Sequence, residues 1–177
     1  KSDGTIVVWG YSSRGGLMGN SGSSSYTGAP SSVTDVTDPS FNPIVNVFST
    51  KQAFAALKSD GTIVVWGYYS YGGSIGGGSH MGWYGLNSSY NSNNVDIVSN
   101  DRAFAALRTD GTIHAWGGFS YGYSSLMSGY DGAKIFSTSS AFAALKSDGS
   151  IHAWGDNKYG GSTSSGGSGS NAYTGVP

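Results

Sequence analysis

The stretch AFAALKSDGTIVVWG, Ala53 to Gly67, returns as AFAALRTDGTIHAWG from Ala103 to Gly117 and as AFAALKSDGSIHAWG from Ala141 to Gly155, and its second half opens the chain at Lys1. Such a repeat restricts the chain to folds made by stacking equivalent units, because one unit alone cannot bury its own apolar surface. Each unit reads as a hairpin. Ala53 to Leu57 and Ile63 to Trp66 are its apolar arms, and Ser59, Asp60 and Gly61 form a turn closed by a glycine at positive φ. Asp60, Asp110 and Asp148 are therefore turn formers. Neither arm alternates apolar with polar residues, so both faces of the hairpin are apolar, and the alanines allow close stacking of sheets. Each hairpin should lie between neighbours, with Trp66, Trp116, Trp154, Phe54, Phe104 and Phe142 in the core.

A further short apolar segment precedes each complete hairpin: Val45, Val47 and Phe48; Val95, Ile97 and Val98; Ala133, Ile135 and Phe136. Every complete repeat thus carries at least three antiparallel strands. The expected fold is all-β, an array of three- to four-stranded units, propeller-like or stacked, with almost no helix. The Trp-Gly pairs at Trp9, Trp66, Trp116 and Trp154 are 57, 50 and 38 residues apart, and loops rich in Gly, Ser and Tyr absorb the difference. We read residues 1–177 as one repeat domain, divided at 1–30 (partial), 31–94, 95–132 and 133–177 (incomplete).

The composition excludes several classes of function. The chain has 30 Gly, no Glu and no Cys, and its net charge is −1. Without a basic stripe it lacks the means to neutralise phosphates, so no nucleic-acid partner is expected. No apolar run approaches the roughly 20 residues of a membrane span. Disulfides and thiolate metal sites are ruled out by the absence of cysteine. Low charge with abundant Ser, Thr, Gly, Tyr and Asn leans towards an exported protein.

The pattern A-L-x-x-D-G-x-[IV]-x-x-W-G, followed by Tyr-Gly-Gly or Gly-Gly-Leu-Met-Gly, resembles the repeat of the regulator of chromosome condensation family. The resemblance covers Leu57 to Gly67, Leu107 to Gly117, Leu145 to Gly155 and Lys1 to Gly10. It implies that each repeat supplies a four-stranded blade to a β-propeller, usually of seven blades. Where that family carries Gly-x-x-His before the apolar strand, this chain has Ser49-Thr50-Lys51-Gln52 and its equivalents. Nothing matches a nucleotide-exchange surface, so that activity is not implied. The polar, glycine-rich repeats look closer to divergent bacterial surface arrays of this type.

No reactive constellation recurs with the repeat. The aspartates sit mostly in turns, including Asp35 and Asp38, and no nucleophile-elbow pattern or phosphate loop is present. His114 and His152 share a slot held by Val7 and Val64 in the other repeats, and two imidazoles without a carboxylate make a poor metal site. We therefore expect no enzyme activity, no cofactor and no metal. The long loop after Trp66 is the binding candidate, since Tyr68, Tyr69, Tyr71, Trp83, Tyr84 and Tyr90, with His80, are interleaved with Gly, Ser and Asn. That mixture of rigid aromatic area and adaptable hydrogen bonding suits protein or sugar contacts. The same rings could instead cover the edge of their own repeat. Asn87-Ser88-Ser89 is the only N-glycosylation sequon.

These readings lead to an extracellular structural or adhesive protein that forms homo-oligomers or filaments, with a glycan-binding propeller as the alternative. The ends sharpen the first. Lys1 begins after the point where a repeat would have its first strands, and Tyr173 to Pro177 repeats the pattern of Tyr26 to Pro30, after which those strands would follow. The strand at Thr5 to Trp9 then lacks a partner from its own repeat, an edge that invites head-to-tail pairing with another chain.

Overall fold

In the computed structural model, residues 1–11, 14, 26–27, 29–38, 41–74, 83–84 and 86–161 are described. The protein is all-β: among the described residues there are three antiparallel sheets and one α-helix, of four residues. The first sheet holds β1 (Tyr26–Thr27), β2 (Ile44–Ser49), β3 (Ala53–Lys58) and β4 (Ile63–Tyr68), in the order β1-β4-β3-β2, and α1 (Ser31–Thr34) precedes β2. The second holds β5 (Trp83–Tyr84), β6 (Asn94–Ser99), β7 (Ala103–Arg108) and β8 (Ile113–Gly118), ordered β5-β8-β7-β6, with β9 (Ser124–Met127) also on β8. The third is β10 (Lys134–Ser137), β11 (Ala141–Leu145) and β12 (Ile151–Gly155). The central hairpins share one register: Phe54 faces Trp66, Phe104 faces Trp116, and Phe142 faces Trp154. The outer strands cross the repeat boundaries read from sequence. Tyr26 and Thr27, from the first repeat, pair with Tyr68 and Gly67 of the second.

One device closes the hairpin turns at Asp3-Gly4, Asp60-Gly61, Asp110-Gly111 and Asp148-Gly149. The carboxylate Oδ1 of Asp3, Asp60, Asp110 or Asp148 accepts both the backbone N–H and the hydroxyl of the residue two ahead, at 2.5–3.0 Å. Each following glycine has a φ between 70° and 83°, as a left-handed turn position requires. The bonds from Thr5, Thr112 and Ser150, their hydroxyls foremost, hold the carboxyls of Asp3, Asp110 and Asp148 below the usual carboxylate range. At Asp60 burial is the largest single influence and pushes upwards, yet the bonds from Thr62 still bring it down.

The sheets stack by a directional rule set by strand alternation. On one face of the first sheet, Ala53, Ala55, Leu57, Ile63 and Val65 pack against Ile97, Phe104, Ala106 and Trp116 of the second. The equivalent face of the second, with Ala105, Leu107, Ile113 and Ala115, packs against Ile135, Phe142, Ala144 and Trp154 of the third. The Phe/Trp face of the first sheet is met by Ile6, Val8, Ala29 and Val33. Ile6 and Val8 hold the sequence slots of Ile63 and Val65, so the opening half-hairpin obeys the same rule without forming a strand. Its Ile6 N–H donates to the Val33 carbonyl, and its Gly4 carbonyl accepts from Ile44 N–H. Of the six expected core rings, Trp66, Trp116, Trp154, Phe104 and Phe142 are buried and Phe54 is partly so.

Polar rungs tie the stack on its β2, β6 and β10 side. The Ser99 hydroxyl donates to the Ser49 carbonyl, and the Ser137 hydroxyl to the Ser99 carbonyl, both at 2.8 Å. Lys51 N–H donates to the Asp101 carbonyl, and Asp101 N–H to that of Ser139. The segment that departs from the family pattern, Ser49 to Gln52, is therefore part of what joins one sheet to the next.

Candidate functional site

Two rims, at opposite ends of the strands, carry the candidate side chains. At one end lie the links from the first to the second strand of each sheet, together with a 3-10 turn after each Trp-Gly strand: Tyr69–Tyr71, Phe119–Tyr121 and Asn157–Tyr159. A short polar side chain fastens link to turn each time. The Thr50 hydroxyl accepts from Ala53 N–H and donates to the Tyr71 carbonyl; Thr138 does the same with Ala141 and Tyr159. Asn100 accepts from Ala103 N–H and donates through its amide to the Tyr121 carbonyl. Gly72, Gly122 and Gly160 end the turns at positive φ. A Cβ at Gly72 would strike the Phe104 ring, and one at Gly122 the Phe142 ring, at 2.8 and 2.5 Å. The next sheet also reaches back: Trp116 Nε1 donates to the Gly72 carbonyl at 3.1 Å, and Trp154 Nε1 to that of Gly122 at 3.0 Å.

On this rim the structure brings Tyr68, Tyr69 and Tyr71 together. The Tyr68 ring centroid lies 5.1 Å from that of Tyr69 and 5.9 Å from that of Tyr71. Arg102 is the side chain that sequence reasoning missed. Its guanidinium sits 4.9 Å from the ring centroids of both Tyr71 and Tyr121, so it is held between equivalent rings of neighbouring turns, a cation–π arrangement. Beside it Lys51 Nζ lies 2.6 Å from Asp101 Oδ2, and that bond and charge raise the Lys51 pKa. Phe119 and Tyr159 stand exposed on the same rim. Tyr71, Tyr121 and Tyr159 are the copies of the Tyr-Gly that follows each of Trp66-Gly67, Trp116-Gly117 and Trp154-Gly155 by a few residues, whereas no sequence signal marks Arg102.

Tyr90 belongs to the other end. The backbone of the adjacent Asn91 accepts from Ile63 N–H at the start of β4, whereas Tyr68 ends that strand, roughly 16 Å away at strand rise. Tyr90 lies over His114, centroids 4.8 Å apart, and Tyr130 holds the same relation to His152 at 5.8 Å. Tyr90, read as part of repeat 31–94, thus lies over a residue of the next repeat, 95–132. His114 is 3% exposed, and neither ring nitrogen has a hydrogen-bond partner among the described residues. Burial first, and the Arg108 guanidinium second, push its pKa down to about 4. No group of three metal-ligating side chains occurs among the described residues. Asn87 caps the 3-10 turn Ser88–Tyr90, its Oδ1 accepting from Ser89 N–H at 2.9 Å. Trp83 and Tyr84 form β5 and pair with Gly118 and Gly117. His80 lies outside the described residues.

The rim offers exposed aromatic faces and one stacked cation, Arg102, which suit contact with sugars or with other protein surfaces. The turn aspartates are already committed to backbone and hydroxyl donors. Among the described residues no helix is long and apolar enough to cross a membrane.

No protein-family model matches the chain, and no curated protein matches it. Among solved structures it is similar to the CRINKLY WD40 ectodomain of the Arabidopsis thaliana receptor kinase ACR4, with TM-score 0.47 and 16% identity over 66% of this chain and 40% of that one. The ectodomain of the Physcomitrella patens receptor kinase CR4 gives TM-score 0.46 and 17% identity over 67% of this chain and 31% of that one. Human WBSCR16 gives 0.43 and 18% over 67% and 36%. The chain spans no more than 40% of the length of any of the three.

Proposed function

We propose that this chain is a non-enzymatic structural or adhesive repeat protein of the cell exterior, propeller-like in its units, whose copies join head to tail into a fibre or surface layer. One observation carries this reading: the recurring polar groups are spent on holding the stack, while both of its ends present apolar side chains to solvent. Aspartates close the turns, serines form rungs, and Thr50, Asn100 and Thr138 clamp the rim. Val7 and Trp9 at one end, and Leu145 and Ile151 at the other, are exposed. Sedimentation and negative-stain microscopy at rising concentration test it. Linear particles that lengthen with concentration are expected, and monodisperse single particles at millimolar protein would overturn it.

A glycan-binding reading draws on the rim, where exposed Phe119 and Tyr159 flank the Arg102 stack. Binding on a glycan array that disappears in Phe119→Ala, with the melting temperature unchanged, would support it. A blank array would remove it.

A further inference from the structure

We infer that the slot between Tyr121 and Tyr159 on the rim binds the guanidinium group of an arginine carried by another protein, a contact that goes beyond the head-to-tail reading. The chain contains its own template for such a slot. Arg102, in the link of the second sheet, has its guanidinium 4.9 Å from the ring centroids of Tyr71 on the preceding turn and Tyr121 on its own. Stacked sheets stand about 10 Å apart, so rings on neighbouring turns leave room for one flat cation between them.

The same frame recurs one sheet further on. The Trp154 indole N–H donates to the Gly122 carbonyl as that of Trp116 does to Gly72, so the turn bearing Tyr121 meets the third sheet as the turn bearing Tyr71 meets the second. Thr138 holds the Tyr159 carbonyl as Asn100 holds that of Tyr121. Asp156 N–H donates to the Ser140 carbonyl as Gly118 N–H does to that of Arg102. Ser140 therefore stands between Tyr121 and Tyr159 in the position of Arg102. Its side chain is buried and too short to reach between the rings.

A second exchange accompanies the first. Where the second sheet has Gly118 the third has Asp156, so the slot that lacks an arginine carries a carboxylate at its edge. Asp156 Oδ1 accepts from Lys158 N–H at 2.9 Å, and Oδ2 has no partner among the described residues. Two ring faces and a carboxylate oxygen suit a guanidinium, which stacks through its plane and donates through its edge. An ammonium is a point charge without a face to stack. The chain supplies no such group here. Among the described residues the cation over Tyr121 is Arg102 and none lies over Tyr159, while residues 162–177 contain neither Lys nor Arg. The template occupant is a side chain anchored by its backbone, so the partner is a protein with an exposed arginine.

The test is titration of the protein with N-acetyl-arginine amide, followed through the NMR signals of the Tyr121 and Tyr159 rings. Saturable shifts at both rings are expected, with a dissociation constant of about 1 to 10 mM for a single stacked cation. N-acetyl-lysine amide should bind at least about 3-fold more weakly. Asp156→Asn, which keeps the acceptor for Lys158 N–H and removes the charge, should weaken arginine binding roughly 3-fold. Ser140→Arg, which installs the Arg102 arrangement, should abolish the shifts. Should that variant fail to fold, Tyr159→Ala opens the slot from its exposed side and should abolish the shift at Tyr121. The proposal is overturned by a parent without saturable shifts, by equal binding of the lysine derivative, by unchanged binding in Asp156→Asn, or by binding that survives Ser140→Arg or Tyr159→Ala. Free L-arginine should bind no more tightly than the blocked derivative; tighter binding would overturn the protein source.

Discussion

The second and third sheets are built from nearly the same sequence, AFAALRTDGTIHAWG and AFAALKSDGSIHAWG, and their hairpins have the same register. They differ in what lies against them. The second sheet is covered on both faces, by the first sheet on its Phe/Trp side and by the third on its Leu/Ile side. Among the described residues the third is covered on its Phe/Trp side, while Leu145 and Ile151 on its other face are 38% and 42% exposed. Burial in this protein is thus a property of position in the stack and not of the repeat sequence. The free-energy contribution of a given side chain should follow its neighbours accordingly.

The largest expected effect tests the half of the comparison in which the sheets agree. Phe104 and Phe142 are both buried against the preceding sheet, so Phe104→Ala and Phe142→Ala should each cost roughly 3 to 5 kcal/mol in denaturant unfolding. A Phe142→Ala protein as stable as the parent would mean that the third sheet is not docked as described. The next pair tests the half in which they differ. Ile113→Ala should cost roughly 2 to 5 kcal/mol, and Ile151→Ala under about 1 kcal/mol in dilute monomer. Equal losses would remove the comparison.

His114 sharpens it through pH. An unfolded chain takes up this proton near its usual pKa of 6.5, whereas the folded site resists it until about pH 4. The folded state binds fewer protons in that window, so stability is unaffected above pH 6.5 and falls as pH drops from 6.5 towards 4. The loss amounts to about 3 kcal/mol at most. His114→Val, which installs the residue found at Val64 in the first sheet, should flatten this part of the profile in pH-dependent melts. An unchanged acid limb would show that the imidazole is not held neutral. The smallest effect separates the two rim glycines. Gly160→Ala should cost about 1 kcal/mol through its positive φ alone, while Gly122→Ala adds the collision with Phe142, about 1 to 3 kcal/mol more. Identical melting of the two variants would place the third sheet away from the Gly122 turn.

Much of this fold was legible in the repeat. The hairpins, the turn aspartates and the two-faced apolar arms follow from local chemistry: a left-handed glycine, an oxygen that accepts two donors, and side chains that alternate across a strand. Sequence could not show where a loop's rings would end up. Tyr68, Tyr69 and Tyr71 form a rim, yet Tyr90 lies at the opposite rim, over His114 and beside the start of β4, because the chain returns along the sheet before β6. Arg102 was not visible as a site residue, since its partners Tyr71 and Tyr121 are on different turns and meet only when the sheets stack. The rungs from Ser49 to Ser99 to Ser137 escaped notice for the same reason: each bond joins residues of different repeats.

The ordered stack can be tested most directly by hydrogen exchange of the tryptophan indole N–H groups, followed by NMR at a concentration where the protein is monomeric. Trp116 and Trp154 donate across to the preceding turn from buried positions, whereas Trp9 lies open to water. The account predicts strong protection of the Trp116 and Trp154 indoles and exchange of the Trp9 indole at the rate of an exposed side chain. Equal exchange at Trp9, Trp116 and Trp154, fast or slow, would contradict it.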